Sequence, residues 1–127
     1  MNLISLAEHL QANKVGTMGK TIYINMLPID VSLAVLLRNS LTGTEIDYEL
    51  RGYTKTQFQA IVRAPGYPQG EALMEKLTNA LTITDTAIGA YYFNYCRPRT
   101  EPVVFPLSNG NLLEFSTYFD VSCFKVT

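Results

Sequence analysis

Residues 61–73 read Ile-Val-Arg-Ala-Pro-Gly-Tyr-Pro-Gln-Gly-Glu-Ala-Leu, an apolar run broken by Pro and Gly before a helix-like pattern. Turns of this kind cradle phosphate when several backbone N–H groups meet a lysine and a hydroxyl, as in GxxxxGK[ST]. Here Pro65 and Pro68 remove donors, and no Lys-Thr or Lys-Ser follows. Tyr67 is the only side chain of the turn with chemical reach, and the segment reads as a backbone elbow. His9 is the sole histidine, beside Glu8 in a helical pattern. One histidine cannot build a two-histidine metal site, and no nucleophile signature accompanies it. It reads as a solvated or helix-packing residue.

Glu45, Asp47 and Glu49 share one face of an alternating segment and offer oxygen ligands to a hard cation. Calcium loops, however, arrange such ligands around a glycine turn. A charged strand edge, protected against unwanted pairing, fits the spacing better. Arg97 and Arg99 flank Pro98 in a predicted loop. They suit phosphate or an acidic partner, and equally a plain exposed loop, since two arginines make a small basic patch. Tyr91, Tyr92 and Tyr95 lack the interleaved basic residues of a base-stacking platform. A sheet face packed on helices or on another subunit accounts for them.

Cys96 and Cys123 are too few for a disulfide scaffold, and no CxxC spacing is present. If Asn109-Gly110 is a two-residue turn, paired residue numbers sum to 219 and Cys96 faces Cys123. Pro98, Pro102 and Pro106 argue against an unbroken ladder. Both cysteines are expected as free thiols acting as small apolar residues.

The elements that must hold these residues are legible from periodicity. Leu3, Leu6, Ala7 and Leu10 share a helical face, with Asn2 or Ser5 as cap and an end between Asn13 and Gly16, where glycine supplies the left-handed turn. Residues 21–26 form a strand stopped by Pro28, and the apolar run 31–37 suits either a strand covered on both faces or a buried helix turn. The alternation over 45–51 predicts a half-exposed strand, 52–55 a link, and 57–63 a strand. A helix over 69–81 buries Ala72, Leu73, Leu77, Ala80 and Leu81, with Glu71 near its positive end. Residues 84–86 read as a turn and 87–96 as an aromatic strand. A short strand at 103–105, a hairpin turn at 108–111 and a long strand from Phe115 to Cys123 follow. Strands grouped around two helices imply an α+β fold, with both helices on one face of a largely antiparallel or mixed sheet.

At 127 residues and 47% hydrophobic, the chain suits one domain with one core. A net charge of −1 lacks the basic excess that duplex binders use to grip phosphate. No run approaches the ~18 apolar residues of a membrane span, and no signal peptide is apparent. The expectation is a soluble protein of a reducing cytoplasm with no cofactor or metal.

Several pieces, in order, resemble the small phage tail terminators, including minor capsid proteins of the head–tail joint. They are the opening helix with Val15-Gly16-Thr17 and the strand Thr21-Ile22-Tyr23-Ile24; then Leu27-Pro28 and Ser32-Leu33-Ala34-Val35-Leu36-Leu37 running into Thr42-Gly43; then Phe58-Gln59-Ala60-Ile61-Val62-Arg63 with its elbow and helix; and last Asn109-Gly110 feeding 115–121. The resemblance spans most of the chain as a single tail-terminator-like domain. Asn39-Ser40 stands where the pattern carries more glycine, and loop 97–102 has no counterpart in it.

The resemblance implies a non-enzymatic structural protein of the virion tail or neck, assembled in the bacterial host cytoplasm. It implies a homo-oligomeric ring, six-fold, that ends polymerisation of the tail tube protein and presents a surface to the head connector proteins. DNA passes through its lumen without sequence-specific binding, and no membrane is involved. Neighbour contacts are expected near Tyr48, Tyr118, Asp120 and Phe124. Arg97, Arg99 and Glu101 are expected to meet tube, connector or DNA. Two other readings fit the residues: a head–tail connector or stopper, and a small α+β enzyme or ligand-binding protein using Tyr67 or the tyrosine cluster.

Overall fold

The computed structural model describes residues 1–106 and 111–126. Its backbone is organised around two long antiparallel strands, β3 (Tyr53–Ala64) and β7 (Leu113–Lys125), paired without interruption from Tyr53↔Phe124 to Ala64↔Leu113. Both alternate. Phe58, Ala60 and Val62 of β3 and Phe115, Phe119, Val121 and Cys123 of β7 are buried. Gln57, Gln59, Arg63, Glu114, Ser116, Tyr118 and Asp120 occupy the intervening positions, on the opposite face. Phe58 and Phe119 stack at 5.3 Å across the pair. Fully burying each ring contributes roughly 1.5–3 kcal/mol.

The described residues complete a seven-stranded mixed sheet. β1 (Ile22–Ile24) runs parallel to β2 (Ala34–Asn39), and β2 is antiparallel to β3. On the far side of β7 lie β5 (Tyr91–Pro98), with β4 (Ile83–Ile88) at its edge, and separately β6 (Val103–Pro106). Helices α1 (Ile4–Ala12) and α2 (Tyr67–Leu81) both pack into the core through Leu6, Leu10, Met74, Leu77 and Leu81. The α+β class, the two helices on one face and the strands at 22–24, 34–37, 57–63 and 103–105 agree with the sequence. The hairpin turn expected at 108–111 lies mostly outside the described residues, although β6 and β7 pair with residue numbers summing to 219, as in Pro106↔Leu113.

Five local expectations are corrected. Residues 45–51 form no strand. The Asp47 carboxylate instead accepts the backbone N–H groups of Glu49 and Leu50, a local bond that competes with ladder formation. Residues 53–55 are not a link but the start of β3, because β7 is long enough to pair with them. Residues 84–86 are not a turn. They belong to β4, paired to β5, and Asp85 alone takes a left-handed φ of 46° inside it. Residues 87–96 are not one strand. Gly89 and Ala90 form a two-residue hairpin loop between Ile88 and Tyr91, and Gly89 takes the φ of +59° that the first position of a type II′ turn needs. Finally, the left-handed residue after α1 is Lys14 (φ 61°), not glycine. Gly16 serves a close approach instead: a Cβ there would stand 3.0 Å from the Ile22 side chain.

Pairing of Cys96 with Cys123 does not occur, because residues 99–102 leave the ladder between β5 and β6. Cys96 faces Val121, and Cys123 faces Phe93.

Candidate assembly interface

The elbow is structural. Gly66 is extended at the N-terminus of α2, and its carbonyl accepts the Gly70 N–H at 3.1 Å. Pro68 sits in the first turn, where its missing N–H costs nothing. Because the helix begins at Tyr67, Glu71 lies past the first turn and beside the Tyr67 hydroxyl. Its carboxylate pushes that phenol up from its ordinary pKa, the opposite of an activated base. The Tyr67 ring leans on Phe115 at 5.7 Å.

The other chemical candidates are also absorbed by packing. His9 Nε2–H donates to the Ala80 carbonyl at 2.9 Å and ties α1 to α2. Tyr91 is buried, and its hydroxyl accepts the Asn2 backbone N–H. The Asn2 side-chain oxygen in turn accepts the N–H of Ile4, the first residue of α1, while the N-cap position itself is Leu3. Burial pushes the Cys96 thiol up to about 12, and Cys123 upward as well. The carboxylates of 45–49 lie in an exposed loop, and among the described residues no group of three or more His, Cys, Asp or Glu side chains gathers as a metal site.

The polar face of the sheet, opposite the helices, is where the remaining candidates meet. Asp120 and Arg99 pair at 2.6 Å, and the same guanidinium reaches the Gln57 amide oxygen. The Arg99 guanidinium also lies over the Tyr118 ring at 5.7 Å. Asp120 therefore holds Arg99 in its charged form. Sequence reasoning assigned Tyr118 and Asp120 to one surface and Arg99 to another, yet the fold makes them one cluster. β5 brings Arg97 alongside, 4.2 Å above the Tyr95 ring. Farther along the face, Gln59 bonds Ser116 at 2.7 Å, and the Asn94 amide donates to the Ser122 hydroxyl, which donates to that of Tyr53.

Phe124 packs on Tyr53 at 5.3 Å and stays part exposed, at the end of the sheet where β3 begins. Tyr48 lies on the arm formed by residues 43–50, with 85% of its surface exposed, across a trough from Arg99 and Asp120. Between that arm and the sheet lies a broad trough of about 990 Å³, lined by Lys55, Gln57, Tyr95, Arg97 and Arg99. Glu101 lies elsewhere, on a smaller groove of about 370 Å³ between α2 and β6 that Tyr67, Met74 and Val104 also line.

Sequence reasoning missed Gln57, which fixes Arg99, and the Arg63–Glu114 pair at 3.2 Å. Arg63 also donates to the Pro28 carbonyl, pinning the crossover between β1 and β2 against this face. Alternation already put Gln57 and Arg63 on one face of β3; only the β7 register selects their partners. The exposed residues Val103, Val104 and Phe105 of β6 were likewise not singled out.

Among the described residues no helix is long and apolar enough to cross a membrane. The sequence matches the family described as bacteriophage tail terminator protein over residues 9–123. Among solved structures it is similar in fold to a chain from the virion of a native gene transfer agent (GTA) particle, with a TM-score of 0.66 and 13% identity over 95% of this chain and 94% of that one. No curated protein matches. With all but its extreme ends inside the match, the chain belongs to the bacteriophage tail terminator family, structural proteins of the phage tail and neck.

Proposed function

We propose that copies of this chain close into a ring on the finished tail tube, stop addition of further tube protein and offer a docking surface to the head connector. Six copies are expected, assembled in the host cytoplasm. The observation that carries this reading is the tail terminator match over residues 9–123. Two features support it. A net charge of −1 suits a lumen through which DNA slides, because a strongly basic ring would hold phosphate. The exposed apolar side chains also fall on different sides of the protomer, as a head-to-tail interface requires.

In this reading Tyr118, Asp120 and Phe124 lie at the neighbour contact with Tyr48, and Arg97, Arg99 and Glu101 face tube, connector or DNA. Asp120 and Gln57 already hold Arg99, so Arg97 carries the uncommitted positive charge of that group. The test is native mass and electron microscopy of the purified chain, alone and with tube protein, across concentration. Annular particles that cap tubes are the expected result. A monomer that neither oligomerises nor binds tube ends at any concentration overturns the reading.

A further inference from the structure

The segment 45–50 is written as a strand and is not paired as one. Its apolar members are the most conspicuous: Ile46 is 71% exposed, Tyr48 85% and Leu50 54%. A period-two pattern with every apolar side chain in water fits a surface that acquires a partner. The turn that would launch the strand is present: the Tyr53 N–H donates to the Leu50 carbonyl, and Gly52 takes a φ of +82°.

The same chain carries a second, different unpartnered surface. β6 pairs with β7 on one side only, and Val103 (63% exposed), Val104 and Phe105 are all exposed. Exposed apolar edge strands are templates for another strand. Pro102 and Pro106 bracket these three residues and confine an incoming strand to them. At two other outer edges, Asp85 breaks the regular backbone of β4, and the Met18↔Ile22 bridge covers the start of β1.

The two surfaces lie at opposite ends of the sheet. The arm leaves from the Tyr53 end and lies across the trough from Lys55, Tyr95 and Arg97, while β6 sits beside residues 113–116 of β7, on the side that faces β5. β3 residues 61–64 pair with that same part of β7, so the two ends are about 30 Å apart along the strands. An arm cannot reach β6 of its own chain across that distance. Patches so placed, and unlike each other, make a head-to-tail contact that propagates from copy to copy.

We infer that in the assembled protein the arm of one copy pairs through residues 46–48 with Val103–Phe105 of strand β6 of the next copy, setting Tyr48 against Val103 and Ile46 against Phe105 on one face, with Leu50 beyond them and Val104 on the other face. This rests on the ring reading and supplies its contact. The apolar surface of these six side chains is on the order of 600 Å² in total, below the ~1,600 Å² of a standard interface. Each contact is therefore weak alone and depends on closure of the ring, which makes assembly steep in concentration.

The experiment mixes two single variants, Tyr48→Cys and Val103→Cys, under mild oxidation at concentrations spanning assembly, with native mass read on the same samples. Both positions are exposed, so folding is preserved, and thermal melting checks this. Native Cys96 and Cys123 are buried and stay silent. The inference expects on the order of tenfold more disulfide dimer in the mixture than in either variant alone, because a head-to-tail contact sets residue 48 only against residue 103. Rings with no excess of mixed dimer overturn the inference and leave the ring reading standing. Mixed dimers without closed rings support the strand pairing and overturn the ring. Absence of both dimer and ring overturns both.

Discussion

Gly70 and Phe115 meet where α2 crosses β7: a Cβ built on Gly70 would stand 2.6 Å from Cζ of the Phe115 ring. The ring is 2% exposed and cannot swing into solvent. Gly70 therefore sets how closely the helix lies on the strand, and the elbow before it serves to deliver the helix at that height.

Gly70→Ala tests this contact. Alanine normally gains about 1 kcal/mol over glycine within a helix. Here overpacking should exceed that gain and leave a net loss of about 1–3 kcal/mol in urea unfolding. Adding Phe115→Leu should recover part of the loss, a non-additivity expected only of residues in contact.

The Arg63–Glu114 pair is mostly buried, with side-chain exposures of 15% and 13%. Glu114→Ala should cost about 2 kcal/mol, since it leaves a guanidinium largely desolvated. Arg63→Met combined with Glu114→Leu should be milder than Glu114→Ala alone. Proteolysis within 25–33 should rise in any variant lacking Arg63, because the Pro28 carbonyl loses its donor.

Arg99 and Asp120 form an exposed pair, and Arg97→Ala with Arg99→Ala should change stability by less than about 1 kcal/mol. If the end of β5 and the residues after it, 97–102, meet another tail or neck component, the same double variant should fold normally yet join heads to tails poorly. Full joining activity in an in vitro complementation assay would assign this segment to plain solvent exposure.

Cys96 supplies a pH dependence. Its thiol ionises at 9.0 ordinarily and at about 12 in the fold, through burial first. The unfolded chain therefore loses a proton near pH 9 that the folded chain keeps. The stabilisation is fully present below that pH and declines between pH 9 and 12, by about 1.4 kcal/mol per unit. Urea midpoints measured at pH 8 and pH 10.5 should show this fall, and a Cys96→Ala background should reduce it to the share that Cys123, also raised by burial, contributes. A thiol reagent at pH 8 should label neither cysteine until the chain unfolds.

By itself the sequence determined the helices and the central strands, because their signals are local and redundant. Leu3, Leu6 and Leu10 repeat at helical spacing, and Phe115 to Cys123 alternate for a full strand length. It also determined that Glu45 to Leu50 carry the pattern of a strand. Whether such a pattern becomes a strand was for the tertiary structure to decide, because a strand needs its backbone N–H groups for a ladder, and within one chain the Asp47 carboxylate takes those of Glu49 and Leu50 in an Asx turn instead. Thr84-Asp85-Thr86 shows the converse: turn-favouring residues were drawn into β4 by pairing with β5, with Asp85 absorbing the conflict at positive φ. Tertiary structure alone joined Arg99 to Asp120 and Gln57, residues far apart in sequence that only the registers of β3, β5 and β7 bring together. It alone placed the arm and β6 at opposite ends of the sheet, since the separation of two surfaces depends on how strands are paired across a sheet, and side-chain periodicity carries no record of that pairing.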